Sequence, residues 1–354
     1  MANKNLTATL LLGGAMAAML YAQSRRQRVY SFRGKIVAIT GGSRGLGLVM
    51  ARQLVSEGAN VAILARDAYE LMRARLDLVG RGHGQVLNVT CDVRDEASVK
   101  QAIDDVVRAF GGIDVLINNA GIIEVGPFEH MTREDFSDAL NTHFWGPFNT
   151  ITAALPVMKR QGGGRIANIA SFGGKIAVPH MAPYSASKFA LVGLSDALRG
   201  ELAAHNIHVT TVVPSLMRTG SHVNALFKGQ NQGEFTWFAI SSSMPGLSVE
   251  AETAAQHIID GIRRGDAQVV AMPPVRAAFV ANELVPGIVA SGLKLFNALL
   301  PRANPNKQAG DVAKPGSESR SAVPSALTSL QDQAAEKNNE LDTRLRNELA
   351  VNRA

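Results

Sequence analysis

Lys35 to Arg66 holds the feature that most limits how this chain can fold. Lys35 to Thr40 (KIVAIT) is a short, apolar, β-branched run, the signature of a strand buried on both faces. Gly41-Gly42-Ser43-Arg44-Gly45-Leu46-Gly47 follows, then a helical pattern to about Glu57, with Gly58 placed to stop it. Asn60 to Arg66 (NVAILAR) is a second apolar strand. A strand, a glycine turn, a helix and a strand make a dinucleotide-binding βαβ unit. The glycines permit a tight turn and close backbone approach to a pyrophosphate. The helix N-terminus supplies amide donors and the positive end of a dipole.

The alternation continues. Strands are expected at Gln85 to Val89, Ile113 to Asn118, Arg165 to Ala170, His208 to Val213 and, as a seventh, Gln268 to Met272. Helices are expected at Asp95 to Phe110 and Ala182 to Ala204. Thr132 should cap a further helix, with Asp135 as its capping-box partner, broken near Gly146-Pro147 and ending about Arg160. The fold class is therefore α/β: a Rossmann-type doubly wound parallel sheet in a single domain, residues 33–275. Ligands of such folds bind beyond the carboxyl ends of the strands. Those ends carry the glycine turn, Arg66, Asp92, Asn119, Ser171 and Pro214, so polar groups converge on one edge.

After Ser171 comes Tyr184-Ser185-Ala186-Ser187-Lys188, opening a helix. Four residues apart, Tyr184 and Lys188 share a helix face. An ammonium beside a phenol favours phenolate and draws its pKa down from about 10. A general acid/base for alcohol–carbonyl interconversion needs that property. Alone, such a pair is more often an ordinary surface pairing.

With these residues in place the chain resembles the short-chain dehydrogenase/reductase family over roughly residues 33 to 275. The family's T-G-x-x-x-G-x-G is Thr40 to Gly47, its N-N-A-G is Asn118 to Gly121, and its Y-x-x-x-K is Tyr184 to Lys188. Its serine stands thirteen residues before the tyrosine, as Ser171 does. The resemblance implies that Tyr184 is the acid or base, that Lys188 lowers its pKa and binds the nicotinamide ribose, and that Ser171 holds the substrate oxygen. It also implies a cofactor site of Gly41, Ser43, Arg44, Gly45, Leu46, Gly47, Arg66, Asp92, Val93, Asn119, Ala120, Gly121, Tyr184, Lys188, Pro214 and Thr219. An acidic residue at the end of the second strand would select NAD. Here Ala65 and Arg66 stand there and Arg44 is nearby, which favours the 2′-phosphate of NADP. Asp67 would serve NAD if the strand ended two residues later. The family's relay asparagine, three residues before the helix glycine, is replaced by His143. Either His143 holds a water and relays protons, or it is a packed helix residue. Val213-Pro214-Ser215 replaces the usual Pro-Gly.

Outside the core, Leu6 to Ala22 is 17 uncharged residues. As a helix it spans about 26 Å against a hydrocarbon core of about 30 Å. Arg25, Arg26, Arg28, Arg33 and Lys35 follow it, which points to an anchor with the catalytic domain on the cytoplasmic side. A cleaved signal or a loose tail are the rival readings. This local crowding accounts for part of the net charge of +6, and no aromatic-interleaved basic stripe suggests nucleic-acid binding. The one cysteine, Cys91, rules out a disulfide scaffold, and no Cys/His cluster has metal-ligand spacing. Residues 216–248 are expected to form a lid, with Leu226, Phe227, Phe235, Trp237, Phe238 and Met244 lining an apolar pocket or else packing as a helical hairpin. Residues 276–302 read as an apolar helical extension, interfacial or dimer-forming. Residues 303–354 read as a disordered linker followed by a solvated helix at Asp332 to Asn352. The function expected is an NADP-dependent oxidoreductase acting on a lipophilic alcohol or ketone, possessing a membrane anchor and a homodimer interface. The alternative is a weakly catalytic nucleotide sensor or scaffold on the same fold.

Overall fold

Twelve strands are present among the described residues of this computed structural model, which are 30–270, 272–303 and 311–341. They are β1 (Ile36–Thr40), β2 (Asn60–Ala65), β3 (Val86–Thr90), β4 (Val115–Asn118), β5 (Glu124–Val125), β6 (Gly164–Ile169), β7 (Ile207–Val213), β8 (Leu216–Arg218), β9 (Leu226–Phe227), β10 (Ser248–Glu250), β11 (Gln268–Val270) and β12 (Lys314–Pro315). Seven of them form one parallel sheet in the order β11-β7-β6-β4-β1-β2-β3. Val37 to Ile39 and Val61 to Ile63 have no exposed surface, as expected of strands covered on both faces. The strand order reverses between β1 and β4, which opens the crevice where ligands of this architecture sit.

The helices are α1 (Gly45–Ser56), α2 (Ala68–Leu78), α3 (Glu96–Phe110), α4 (Arg133–Leu140), α5 (Gly146–Arg160), α6 (Ala182–Leu202), α7 (Asn231–Ser243), α8 (Ala251–Arg264), α9 (Pro273–Leu284), α10 (Pro286–Ala298), α11 (Gly316–Ser319) and α12 (Ser325–Lys337). Asp95 caps α3 through the amides of Ala97 and Ser98, and Gly111 ends it at φ 90°. The capping box of Thr132 and Asp135 starts α4. The expected break before Gly146 is a π turn, Asn141–Trp145. Such turns recur at functional sites. A chain of buried side-chain hydrogen bonds ties these layers together. Thr150 Oγ1 donates to Asn118 Oδ1 (2.6 Å), Asn118 Nδ2 to Asn168 Oδ1 (2.9 Å), and Asn168 Nδ2 to Ser195 Oγ (2.9 Å). Fully satisfied networks of this kind fix helix position over a sheet.

Two peripheral expectations need correction. The aromatics of residues 216–248 do not all line a pocket. Phe227, Phe235 and Phe238 are buried in a cluster with Val125, Met181 and Val323, whereas Met244 is exposed. Trp237 is half-buried with its ring 5.9 Å from Phe296. The polar tail is also not simply linker and solvated helix. β12 pairs antiparallel with β9, and α12 buries Thr328, Gln331, Asp332 and Ala335. A Cβ on Gly220 would lie 2.2 Å from Ala335 Cα, so backbone meets backbone there. Its polar residues tolerate burial because they are paired. Gln331 accepts from the Gly220 amide and donates to the Met217 and Ser242 carbonyls. Asp332 meets Arg320 (2.9 Å), His222 (3.3 Å) and Thr328 (2.9 Å).

α9 and α10 bend by 118° at Val285 and expose Val280, Leu284, Ile288, Leu295 and Leu299. Among the described residues no single helix is long and apolar enough to cross a membrane; this bent pair meets the criterion only when taken together. The 6–22 segment and residues 342–354 lie outside the described residues.

Candidate active site

The glycine turn after β1 is shaped by close approaches that a side chain would prevent. A Cβ on Gly47 would lie 2.1 Å from the Gly41 carbonyl oxygen. Gly41 has φ 64°, and a Cβ there would sit 2.9 Å from Ala120 Cα. Asn119 braces the turn from β4. Its Nδ2 donates to the carbonyls of Thr40 and Gly41, both at 3.1 Å. The amides of Asn119 and Ala120 donate to Thr40 Oγ1. Asn119 and Ala120 thus act on the turn that would hold a cofactor, rather than standing apart from it.

Ser171 lies just beyond β6 and accepts from the Gly173 amide (3.1 Å). α6 packs directly on this loop. A Cβ on Gly173 would sit 3.3 Å from the Tyr184 ring, and one on Gly174 would sit 2.9 Å from the Lys188 carbonyl oxygen. Because these two positions carry no side chain, α6 can bring Tyr184 to Ser171. Burial raises the Tyr184 phenol, and its hydrogen bond with Ser171 opposes the rise.

Lys188 lies between β6 and the Tyr184 ring. Its Nζ donates to the Ile169 carbonyl (2.8 Å) and lies 5.7 Å from the Tyr184 ring centroid. Burial pulls the ammonium down to about 7. Burial thus acts on both groups, lowering the Lys188 ammonium and raising the Tyr184 phenol.

His143 lies in the π turn with 1% of its surface exposed. The Ile122 amide donates to its Nε2 (3.1 Å), so the ring proton is on Nδ1, which donates to Ser187 Oγ (2.8 Å). Ser187 in turn donates to the Tyr184 carbonyl (2.8 Å). Burial, then the charge of Lys188, hold its pKa well below the usual imidazole value. Both nitrogens are engaged by protein, and the ring meets Tyr184 edge-on at 5.3 Å. These contacts pack His143 between the Ile122 amide and α6.

Around the adenosine end, the charges are more committed than the sequence suggested. Asp67 caps α2, accepting from the Glu70 amide (2.9 Å). Glu70, unnoticed in the sequence, accepts from Ser43 Oγ (3.0 Å) and pairs with Arg44 (3.3 Å). Arg66 is exposed, and its charge helps hold Asp92 below the usual carboxylate range, behind the larger effect of hydrogen bonding from Arg94. Val93 packs at Gly146, whose Cβ would meet Val93 Cγ2 at 2.9 Å. The Pro214 carbonyl accepts from the Phe172 amide (2.8 Å), and Thr219 is buried beside Gly220.

The residues fit a dinucleotide in kind. Leu46 and Gly47 are buried in the first turn of α1, and Arg44 at its N-cap makes no side-chain cap. Residues 338–341, however, already lie against this turn, as described below.

A doubly wound sheet with a glycine turn at its switch point, and a serine, tyrosine and lysine at the neighbouring strand end, defines a nucleotide-dependent oxidoreductase. A model of the short chain dehydrogenase family matches residues 35–228, and the chain belongs to that family. It is 31% identical over 294 residues to a dehydrogenase/reductase SDR family protein 7-like of Anopheles gambiae, covering 80% of this chain and 90% of that one. It is 38% identical over 232 residues to the 3-dehydrosphinganine reductase TSC10B of Arabidopsis thaliana, covering 65% and 67%. A solved short chain dehydrogenase/reductase of Burkholderia phymatum in complex with NAD superposes with a TM-score of 0.67 at 22% identity, over 73% of this chain and 96% of that one.

Proposed function

We propose that the chain is an NADP(H)-dependent oxidoreductase that interconverts a carbonyl and a hydroxyl on a lipophilic small molecule. The observation that carries this is the placement of Tyr184 beside Ser171 at the strand-end edge of the sheet, with Lys188 Nζ 5.7 Å from the Tyr184 ring centroid. Ser171 would orient the substrate oxygen, and Tyr184 would deliver a proton to it as the carbonyl carbon is reduced. A bound nicotinamide cofactor supplies the hydride in reduction and accepts it in oxidation. Lys188 would position the ribose, and His143 and Ser187 would hold the Tyr184 turn in place.

Gly41, Ser43, Arg44, Gly45, Leu46 and Gly47 would cradle the pyrophosphate, with Asp92, Val93, Gly121, Pro214 and Thr219 along the rest of the cofactor. Arg44 and Arg66 would receive the 2′-phosphate. The engagement of Asp67 in its helix cap supports this choice, because that carboxylate is occupied elsewhere. The Glu70 carboxylate beside Ser43 is the observation on the side of NAD. The lipophilic class rests on the similarity to a 3-dehydrosphinganine reductase and on the exposed apolar faces of α9 and α10. Phe279 of α9 sits 5.6 Å from Phe172, the neighbour of Ser171. The same reading holds the chain at a membrane through residues 6–22. It also pairs two copies through α5 and α6, where Trp145, Phe148 and Phe189 lie exposed on or beside the helix surfaces. Purified protein is assayed against a panel of long-chain ketones, 3-dehydrosphinganine among them, with NADPH and NADH at equal concentration. Faster turnover with NADPH is expected. Faster turnover with NADH overturns the cofactor assignment. Tight NADPH binding without turnover of any ketone favours the sensor reading.

A further inference from the structure

The last described residues of the chain lie in the cradle that the cofactor would need. Beyond α12, the Asn338 carbonyl accepts from the Gly45 amide (2.9 Å), the first helical residue of the glycine turn. Asn339, at φ 60°, donates through Nδ2 to the Ser43 carbonyl (2.9 Å) and the Glu70 carbonyl (3.2 Å). Asn338 Nδ2 reaches the Thr219 carbonyl at 3.5 Å. Glu340 Oε2 stands 3.6 Å from Arg44 Nε and accepts from Asn224 Nδ2 (2.7 Å). A Cβ on Gly45 would lie 2.5 Å from Glu340 Oε1, so the carboxylate rests directly on the turn. Three consecutive residues thus occupy Ser43, Arg44, Gly45 and Thr219, four positions assigned above to a dinucleotide.

The chemistry of this contact is that of an anion at a helix N-terminus. The first turn of α1 presents backbone amides and a positive dipole end, its Gly45 amide taken by the Asn338 carbonyl, and Arg44 adds a guanidinium. A phosphate satisfies such a site, and so does a carboxylate. Glu340 is 7% exposed. Its burial pushes the carboxyl up, Glu70 adds to that, and Arg44 and Asn224 hold it down. The carboxylate is therefore held against a desolvation cost that Arg44 and Asn224 offset. The segment is tethered close by. Arg52 binds the Lys337 carbonyl (2.7 Å) and Asn338 Oδ1 (2.9 Å), and Arg73 binds Asn339 Oδ1 (2.9 Å).

We propose that residues 338–341 are an internal ligand of the glycine turn, with the Glu340 carboxylate standing where a cofactor phosphate goes, so that dinucleotide and tail exclude each other. This rests on the assignment of the turn to a dinucleotide. Only molecules whose tail has left bind cofactor, so the apparent dissociation constant is the intrinsic one divided by the fraction released. α12 itself stays docked through Gln331 and Asp332, and the opening involves the four residues beyond it.

The test uses the full chain, with NADPH and NADH as probes, and reads binding by ligand fluorescence and tail release by hydrogen exchange of the 338–341 amides. In the wild type, saturating dinucleotide should speed exchange at Asn338 and Glu340, whose amides donate to Ala334 and Ala335. Glu340→Ala, and separately Asn339→Ala, should bind dinucleotide about tenfold tighter. Either variant that folds, judged by an unchanged melting profile of the remaining domain, suffices. Unchanged affinity in the variants, with amides that stay protected while dinucleotide is bound, overturns the exclusion and leaves the site assignment standing. Failure of wild type and both variants to bind any dinucleotide overturns the site assignment itself.

Discussion

Replacing Lys188 by methionine should stabilise the protein. The side chain is 4% exposed, and burial pulls its pKa to about 7. The distance down from the solution value of about 10.4 corresponds to a folding penalty on the order of 4–5 kcal/mol below pH 7. The sign follows from proton binding. Between pH 7 and about 10.4 the unfolded lysine keeps its proton while the folded one has lost it, so stability rises with pH across that window. Methionine matches the stem and removes the charge but leaves the Ile169 carbonyl without its donor, which costs about 1–3 kcal/mol. The net expectation is a gain of about 2 kcal/mol at pH 6.5, or roughly 4–8 °C in melting temperature. Chemical denaturation at pH 6.5, 8 and 9.5 measures it. Wild-type stability should climb over the series, and the advantage of Lys188→Met should shrink. A less stable variant at pH 6.5, or a flat wild-type profile, refutes the picture of a buried, costly ammonium.

The imidazole of His143 should stay neutral with its proton on Nδ1, and nitrogen NMR of the folded protein should show no titration from pH 5 to 8. Because the unfolded histidine protonates near 6.5 and burial lowers the folded one, stability is lost as pH falls below that value. A ring that titrates near 6.5 would restore the relay role. Gly47→Ala places a Cβ 2.1 Å from the Gly41 carbonyl oxygen, and should cost about 3 kcal/mol and abolish dinucleotide binding. Normal melting with normal binding would contradict the tight turn. Burial pushes the Cys91 thiol up to about 11, so Ellman's reagent should label it only after unfolding. Rapid labelling of native protein would contradict that.

The parallel sheet and the strand-end residues were legible because strands buried on both faces must be apolar, and because glycine spacing encodes a turn. The seven sheet strands fall where apolar runs and punctuation put them, within a few residues. Three things were not legible. The partner of a buried lysine is a backbone carbonyl at Ile169, which has no sequence signal. The roles of His143 and Asn119 are set by which nitrogen meets which backbone group, and that depends on the π turn and on the register of β4. The tail was misread because composition registers Asn, Gln, Asp and Glu as solvated, whereas Gln331, Asp332 and Glu340 are buried by specific pairing. Glu70 could have been suspected from its place in the first turn of the helix after β2, opposite the glycine turn.

The central claim is that the phenol of Tyr184 carries the proton. The direct measurement is single-turnover oxidation of NADPH by wild type and by Tyr184→Phe with the same ketone, alongside NADPH affinity. Loss of about 10²–10⁴ in rate with affinity unchanged is the predicted result. A phenylalanine variant that reduces the ketone at the wild-type rate would contradict it.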